Sequence, residues 1–334
     1  MRFAILALAT VGCATTHAPP TAPSTAAPAA EPATVVERPS QRARVNGVDL
    51  AWDSFGDPKA RPLLLVMGLG LQMIAWDDAL CEALAARGFY VIRFDNRDVG
   101  LSTSFDAYGD PNPLQVFDQL RKKRPVNAPY LLCDMADDAV GLLDTIGVRA
   151  AHVLGVSMGG MIAQEIAIRH PERVLTLTSI MSTTGATDVR GPSYETIAAV
   201  LAPFPPDRGG FIRRSLEVAR TLHGGGFAFD EERYRRVAAR SFDRAYHPGG
   251  VRRQLIAIWL SGDRTAALSK LALPTLVIHG DADPLVPVDG GRATARAIPG
   301  ARLEIISGMG HELPRAVWPR VIDGVTRLAA ERAP

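Results

Sequence analysis

An α/β fold is what this chain predicts: a mostly parallel sheet with helices on both faces, interrupted by one helical insertion. Three observations carry the prediction. From residue 42 onward strand-like and helix-like stretches alternate, and such alternation calls for parallel strands joined by crossover helices. Several of the strands are unbroken apolar runs, the mark of strands covered on both faces. Between about Thr184 and Leu271 the rhythm stops, and long helical stretches follow without a convincing strand. Of the 334 residues 47% are hydrophobic, enough for a sizeable core. Lysine plus arginine number 37 against 35 acidic residues, a net charge of +2, which gives no electrostatic footprint for nucleic acid.

The N-terminus has a different character. A positive charge at Arg2 precedes the apolar run "FAILALATVG", which is too short to span a bilayer and ends directly before Cys13. The segment "TVGC" resembles the lipobox of bacterial lipoproteins, although Thr10 stands where leucine is usual. The resemblance implies that residues 1–12 are a signal peptide and that Cys13 carries the lipid, giving an exported, membrane-anchored bacterial protein, periplasmic or at the cell surface. Residues 13–41 are rich in proline and alanine and read as a disordered tether.

The elements of the fold follow in order. "ARVNGVDLAWDSFG" is a hairpin turning at Asn46-Gly47. "PLLLVMG" is a buried strand, "WDDALCEALAARG" a helix, "FYVIRFD" a strand, "CDMADDAVGLLDTIG" a helix and "AHVLGVS" a strand. The helix "GGMIAQEIAIRH" stops before Pro171, and "VLTLTSIMS" is the next strand. After the insertion come the strand "PTLVIHG", the helix "DGGRATARAIPG", the strand "ARLEIIS" and a closing helix from Pro314. The core is therefore expected at residues 42–184 and 272–334, with a helical cap at 185–271 lying over the carboxyl ends of the strands, where open α/β sheets bind ligands. Cys81 and Cys133 fall in helices on opposite faces of such a sheet, so two buried free thiols are expected; neither stands at metal-ligand spacing, and no metal site is assigned.

The chemistry centres on "GVSMGG". Ser157 stands where a strand ends and a helix begins, and its flanking glycines permit a tight, strained turn that exposes the hydroxyl. The helix N-terminus behind it offers free N–H groups to a developing oxyanion. A serine needs a base at neutral pH, and His311 in "SGMGHELP" is the histidine that follows the last strand and precedes the last helix. The carboxylate that orients it is sought in "HGDADPLVP", where Asp283 lies farther beyond the strand end than Asp281, which is left to support the loop. Asp95 and Arg97 are expected to pair locally and hold a loop behind the serine. The cap aromatics Phe204, Phe227, Phe229, Tyr234, Phe242, Tyr246 and Trp259 are compatible with a pocket lid but also with the cap's own core.

From about Arg44 to Ala330 the chain resembles the α/β-hydrolase superfamily. "GVSMGG", "HGDADPLVP", "GMGHELP" and "FDNRDVGLSTS" match its nucleophile, acid, histidine and post-fourth-strand segments in order. Within it, "LLLVMGLG" and "VIRFDNRDVGLST" are most similar to the aclacinomycin methylesterase-like esterases, which share Met67-Gly68 in place of the His-Gly of many relatives. The resemblance implies an α/β-hydrolase fold and a serine hydrolase that needs no cofactor, cleaving an apolar small-molecule ester through an acyl-enzyme on Ser157, His311 and Asp283. Its oxyanion hole would be the backbone N–H groups of Met158 and Leu69, or Gly68 in place of the latter. Cofactor-free perhydrolysis by haloperoxidases and C–C bond hydrolysis use the same triad and stay open, as does a binding module that keeps the fold without the chemistry.

Overall fold

The protein is described here by a computed structural model covering residues 39–332; the expected signal segment, Cys13 and all but the end of the expected tether lie outside the described residues. Eight strands form one sheet in the order β1-β2-β4-β3-β5-β6-β7-β8. They are β1 (Gln41–Val45), β2 (Val48–Phe55), β3 (Arg61–Val66), β4 (Phe89–Phe94), β5 (Ala151–Val156), β6 (Val174–Ile180), β7 (Thr275–Gly280) and β8 (Arg302–Ile306). β1–β2 and β2–β4 pair antiparallel, and every other pair is parallel. The mostly parallel sheet predicted from the alternation is thus what forms. Gln41, assigned to the tether, is instead the first residue of β1 and pairs with Trp52. The cause is the turn at Asn46-Gly47, whose left-handed φ values of 44° and 80° fix a hairpin register that reaches one residue farther.

Helices cover both faces. α1 (Asp78–Ala85) and the final helix α11 (Trp318–Ala330) pack on one, where Cys81, Leu84, Val321 and Val325 join the apolar residues of β3, β4 and β7. α3 (Leu132–Thr145) and α4 (Met158–Arg169) pack on the other through Met135, Leu142, Ile162 and Ile166. β5 is buried along its whole length, as a central strand covered on both sides must be. Between β6 and β7 lie α5 (Tyr194–Leu201), α6 (Arg208–Leu222), α7 (Glu231–Arg244), α8 (Pro248–Ser261) and the single turn α9 (Thr265–Leu268); α10 (Asp289–Ala297) follows β7. A further helix, α2 (Pro113–Arg121), was not read from the sequence. Asn112 caps it and Pro113 opens it, but it is only nine residues long, and only Val116 of them is buried.

Buried ion pairs fix the cap to the core. Asp95, just after β4, meets Arg244 of α7 at 2.5 Å, and Asp98 meets Arg253 of α8 at 2.8 Å with Tyr130 donating to the same carboxylate. Asp95 and Arg97 therefore do not pair locally as expected. Their side chains diverge: Asp95 turns under its loop, accepting the N–H groups of Met73 and Leu101 as well as Arg244, while Arg97 turns to α3 and meets Asp138 at 2.6 Å. Burial pushes the Asp95 carboxyl up against the opposing pull of Arg244 and those N–H donors. The two thiols are free; Cys81 is buried, but Cys133 is only half-buried, because it sits in the first turn of α3 on a flank beside Asp134 and Arg169. Phe204, Phe242 and Tyr246, all half-buried, cluster around Phe211, which packs against the small cap core of Ile212, Leu216 and Ala238.

Candidate active site

Ser157 is the residue between β5 and α4, and its backbone is held at φ 54°, ψ −122°. A serine gains nothing from that conformation by itself. Its surroundings hold it there: the Ser157 N–H donates to Ile180 O at 2.9 Å, and its own carbonyl accepts from Gly160 N–H at 2.9 Å and from the Ser182 hydroxyl at 2.8 Å. The glycines of "GVSMGG" answer to close packing. A Cβ on Gly159 would stand 2.1 Å from Val66 O of β3, and one on Gly155 would stand 2.0 Å from Gly159 O. The start of α4 can therefore press against the ends of β3 and β5 only with glycine at both places.

His311 lies in the loop between β8 and α11, and its Nε2 is 2.9 Å from Ser157 Oγ. Its Nδ1 is 2.7 Å from Asp283 Oδ2, in the loop after β7. This spacing assigns the proton to Nδ1, leaving Nε2 to accept from the hydroxyl. Asp283 is buried, which pushes its carboxyl upward; the charge of His311, together with hydrogen bonds from His279, His311 and the Val286 N–H, outweighs burial and holds it well below the ordinary carboxylate range. Its other oxygen accepts the Leu285 and Val286 N–H groups, each at 2.9 Å. Asp281 does not reach the histidine and instead accepts the Gly308 N–H at 2.7 Å. His279 also faces Asp283, with its Nε2 3.5 Å from Oδ2 and 2.7 Å from Val286 O, whereas His152 bonds Thr176 and His170 bonds Asp137 away from the site.

The Met67–Leu71 loop closes the other side. Gly68 packs against the serine, so that a Cβ there would stand 3.3 Å from Ser157 Cβ. Met158 is the first residue of α4, where an N–H has no acceptor within the helix. Asn96 donates to Met67 O at 2.9 Å, and Gln254 of α8 accepts the Gly70 N–H at 2.9 Å while donating to Arg97 O at 2.8 Å. Gly68 and Met158 thus lie beside Ser157, in two segments that are distant in sequence and meet here. Among the described residues no group of three or more histidine, cysteine, aspartate or glutamate side chains could hold a metal ion.

Sequence reasoning missed what surrounds the histidine. Leu222 O, at the end of α6, accepts the His311 N–H at 2.9 Å, and Gly226 N–H donates to Gly308 O at 3.0 Å. Glu312, buried, accepts the hydroxyl of Tyr234 at 2.7 Å and bonds His223 Nδ1. The "HGGGF" run after α6 lies flat on the histidine loop because glycines meet glycines there: a Cβ on Gly226 would be 2.4 Å from Gly308 Cα. The three consecutive glycines were the one signal available. Beyond this strap a cavity of about 340 Å³ is lined by Phe227, Arg233, Tyr234, Glu312, Pro314 and Arg315.

Comparison with known proteins follows the same geometry. Residues 61–314 match the family described as alpha/beta hydrolase fold. A rhodomycin D methylesterase of Streptomyces peucetius is 34% identical over 295 residues, covering 81% of this chain and 91% of that protein. Another, of Streptomyces sp. (strain C5), is 33% identical over 304 residues, covering 84% and 94%. A meta-cleavage product hydrolase of Pseudomonas fluorescens shares the fold with a TM-score of 0.67 at 20% identity, covering 88% of this chain and 98% of that one. The resemblance to methylesterases read from the motifs holds in these relatives.

Proposed function

The chain belongs to the alpha/beta hydrolase fold family, and from that premise we propose that it is a carboxylic ester hydrolase acting through an acyl-enzyme on Ser157, with His311 as base and Asp283 as its orienting acid. The observation that carries this reading is the relay of 2.7 Å and 2.9 Å that ends on a serine held at φ 54°. Ser157 Oγ attacks the ester carbonyl as its proton passes to His311 Nε2, and the Asp283 carboxylate stabilises the imidazolium that results. The Leu69 and Met158 N–H groups receive the oxyanion, and the N-terminal end of α4 adds its dipole. His311 then returns the proton to the leaving alkoxide, and water, deprotonated by the same nitrogen, releases the acid. No step calls for a cofactor.

The names of the methylesterase relatives support a methyl ester as the first substrate class to screen. Perhydrolysis and C–C bond cleavage would use the same groups; a panel of aryl and methyl esters beside a peroxide-dependent halogenation assay separates ester hydrolysis from perhydrolysis. Export with lipid on Cys13 is the cellular setting we propose; loss of palmitate labelling in Cys13→Ala tests it. Intact-mass analysis after exposure to a fluorophosphonate tests the activity itself. One adduct is expected on the parent, absent in Ser157→Ala and strongly slowed in His311→Ala. An unlabelled, folded parent would contradict an activated serine and favour a binding module.

A further inference from the structure

Helix α2 leaves much of an apolar face exposed. Leu114 and Phe117, three residues apart and so on one side of the helix, are 71% and 58% exposed. The Phe117 ring meets Trp259 of α8 edge-on, with 6.0 Å between centroids, and the rest of it faces outward. One turn farther along the same side comes Arg121, followed by Lys122, Lys123 and Arg124, all exposed. The only carboxylate between residues 113 and 125 is Asp118, which pairs with Arg121 at 3.1 Å and Lys122 at 2.5 Å. Exposed pairs of this kind are weak and exchange readily, so the segment presents four cations against one carboxylate.

We propose that this face of α2, Leu114 and Phe117 with the cations Arg121 to Arg124, is a contact surface for an anionic lipid bilayer, separate from any lipid on the N-terminal segment. Two bulky apolar side chains pointing outward beside long flexible cations suit the boundary between acyl chains and headgroups, where the former leave water and the latter reach phosphate. A protein partner or second copy needs a shaped surface of roughly 800 Å² on each side. A plane of headgroups makes no such demand for shape. α2 holds none of the groups placed at Ser157, so the inference stands or falls apart from the hydrolase reading.

The test uses the full chain carrying Cys13→Ala, sedimented with phosphatidylcholine vesicles with and without phosphatidylglycerol. Sedimentation is expected only with phosphatidylglycerol and should decline as salt is raised. Leu114→Ser combined with Phe117→Ser should lower partitioning about tenfold or more, and Lys122→Gln and Lys123→Gln about fivefold each at low salt. Leu303→Ser, on the edge strand β8, should leave it unchanged. Equal melting temperature and equal fluorophosphonate labelling show that the variants are folded. The proposal is overturned if the protein ignores phosphatidylglycerol vesicles or if binding survives all four α2 substitutions. It is also overturned, in favour of a second copy, if the protein dimerises without vesicles and the dimer is lost in the Leu114→Ser, Phe117→Ser variant.

Discussion

The two sides of the site are held by different parts of the chain. Ser157 and Asp283 take their backbone and carboxylate bonds from the sheet and its own loops, through Ile180, Ser182, Leu285 and Val286. The histidine loop and the Met67–Leu71 loop are held from both sides: the core supplies Asp281 to Gly308 and Asn96 to Met67, while from the insertion Leu222 and Gly226 bond the backbone around His311, His223 and Tyr234 hold Glu312, and Gln254 holds Gly70. Ser157 and Asp283 are thus set by the sheet and its loops alone, while the His311 and Met67–Leu71 loops also lean on the helices of the insertion. The difference teaches that the cap is more than a cover over a pocket, since disturbing it displaces two of the working groups.

Substitutions on the two sides should separate by size of effect. On the core side, Ser157→Ala should lower kcat by about a millionfold and Asp283→Asn by about ten-thousandfold, the losses typical when a serine triad member is removed or its histidine takes the wrong tautomer; steady-state kinetics on an aryl ester checks both. On the cap side, Glu312→Gln and Gln254→Ala remove no reacting atom and should cost about tenfold to a hundredfold in kcat, the scale of an ångström of misplacement, with little change in KM. Equal losses from both sides would break the comparison.

Acid stability sharpens the core side. Burial pushes His152 of β5 down to about 4 from an ordinary 6.5, so between those values the unfolded chain binds a proton that the folded chain does not. Stability should therefore rise with pH through that window and be lost on acidification, by up to about 3 kcal/mol. Asp283, with its carboxyl depressed, contributes stability above the ordinary carboxylate range that is lost only as pH falls through its lower value. It stays charged across the His152 window, and urea titrations of the parent and His152→Gln from pH 7 to about pH 4 distinguish the two. The smallest effect is on thiol chemistry. Burial pushes the Cys81 thiol up to about 12, so a disulfide reagent near neutral pH should modify half-buried Cys133 first and Cys81 only through unfolding.

Much of the core was legible because its signals are local. An apolar run bounded by proline and glycine marks a buried strand wherever it occurs, and Ser157, Asp283 and His311 could be named because each follows a strand in the order a hydrolase requires. That the three meet within hydrogen-bonding distance is a property of the sheet's parallel register, which no local pattern states. The cap side was hardly legible. Gln254 serves a glycine 184 residues away and His223 a glutamate 89 residues away, and nothing in the neighbourhood of either announces its partner. The divergence of Asp95 and Arg97 belongs to the same class, as both reach ions that only the packed helices bring near. α2 escaped because its apolar residues Leu114, Val116, Phe117 and Leu120 fall within only nine residues, too short a stretch to read a period from.

The most direct test is the second-order rate of phosphonylation at Ser157 by a fluorophosphonate, compared among the parent, Ser157→Ala, Glu312→Gln and His223→Ala. The account predicts a single adduct on the parent, none in Ser157→Ala, and the same adduct formed about tenfold to a hundredfold more slowly in the two cap-side variants at unchanged melting temperature. A parent that does not react, or cap-side variants that react at the parent rate, would contradict it.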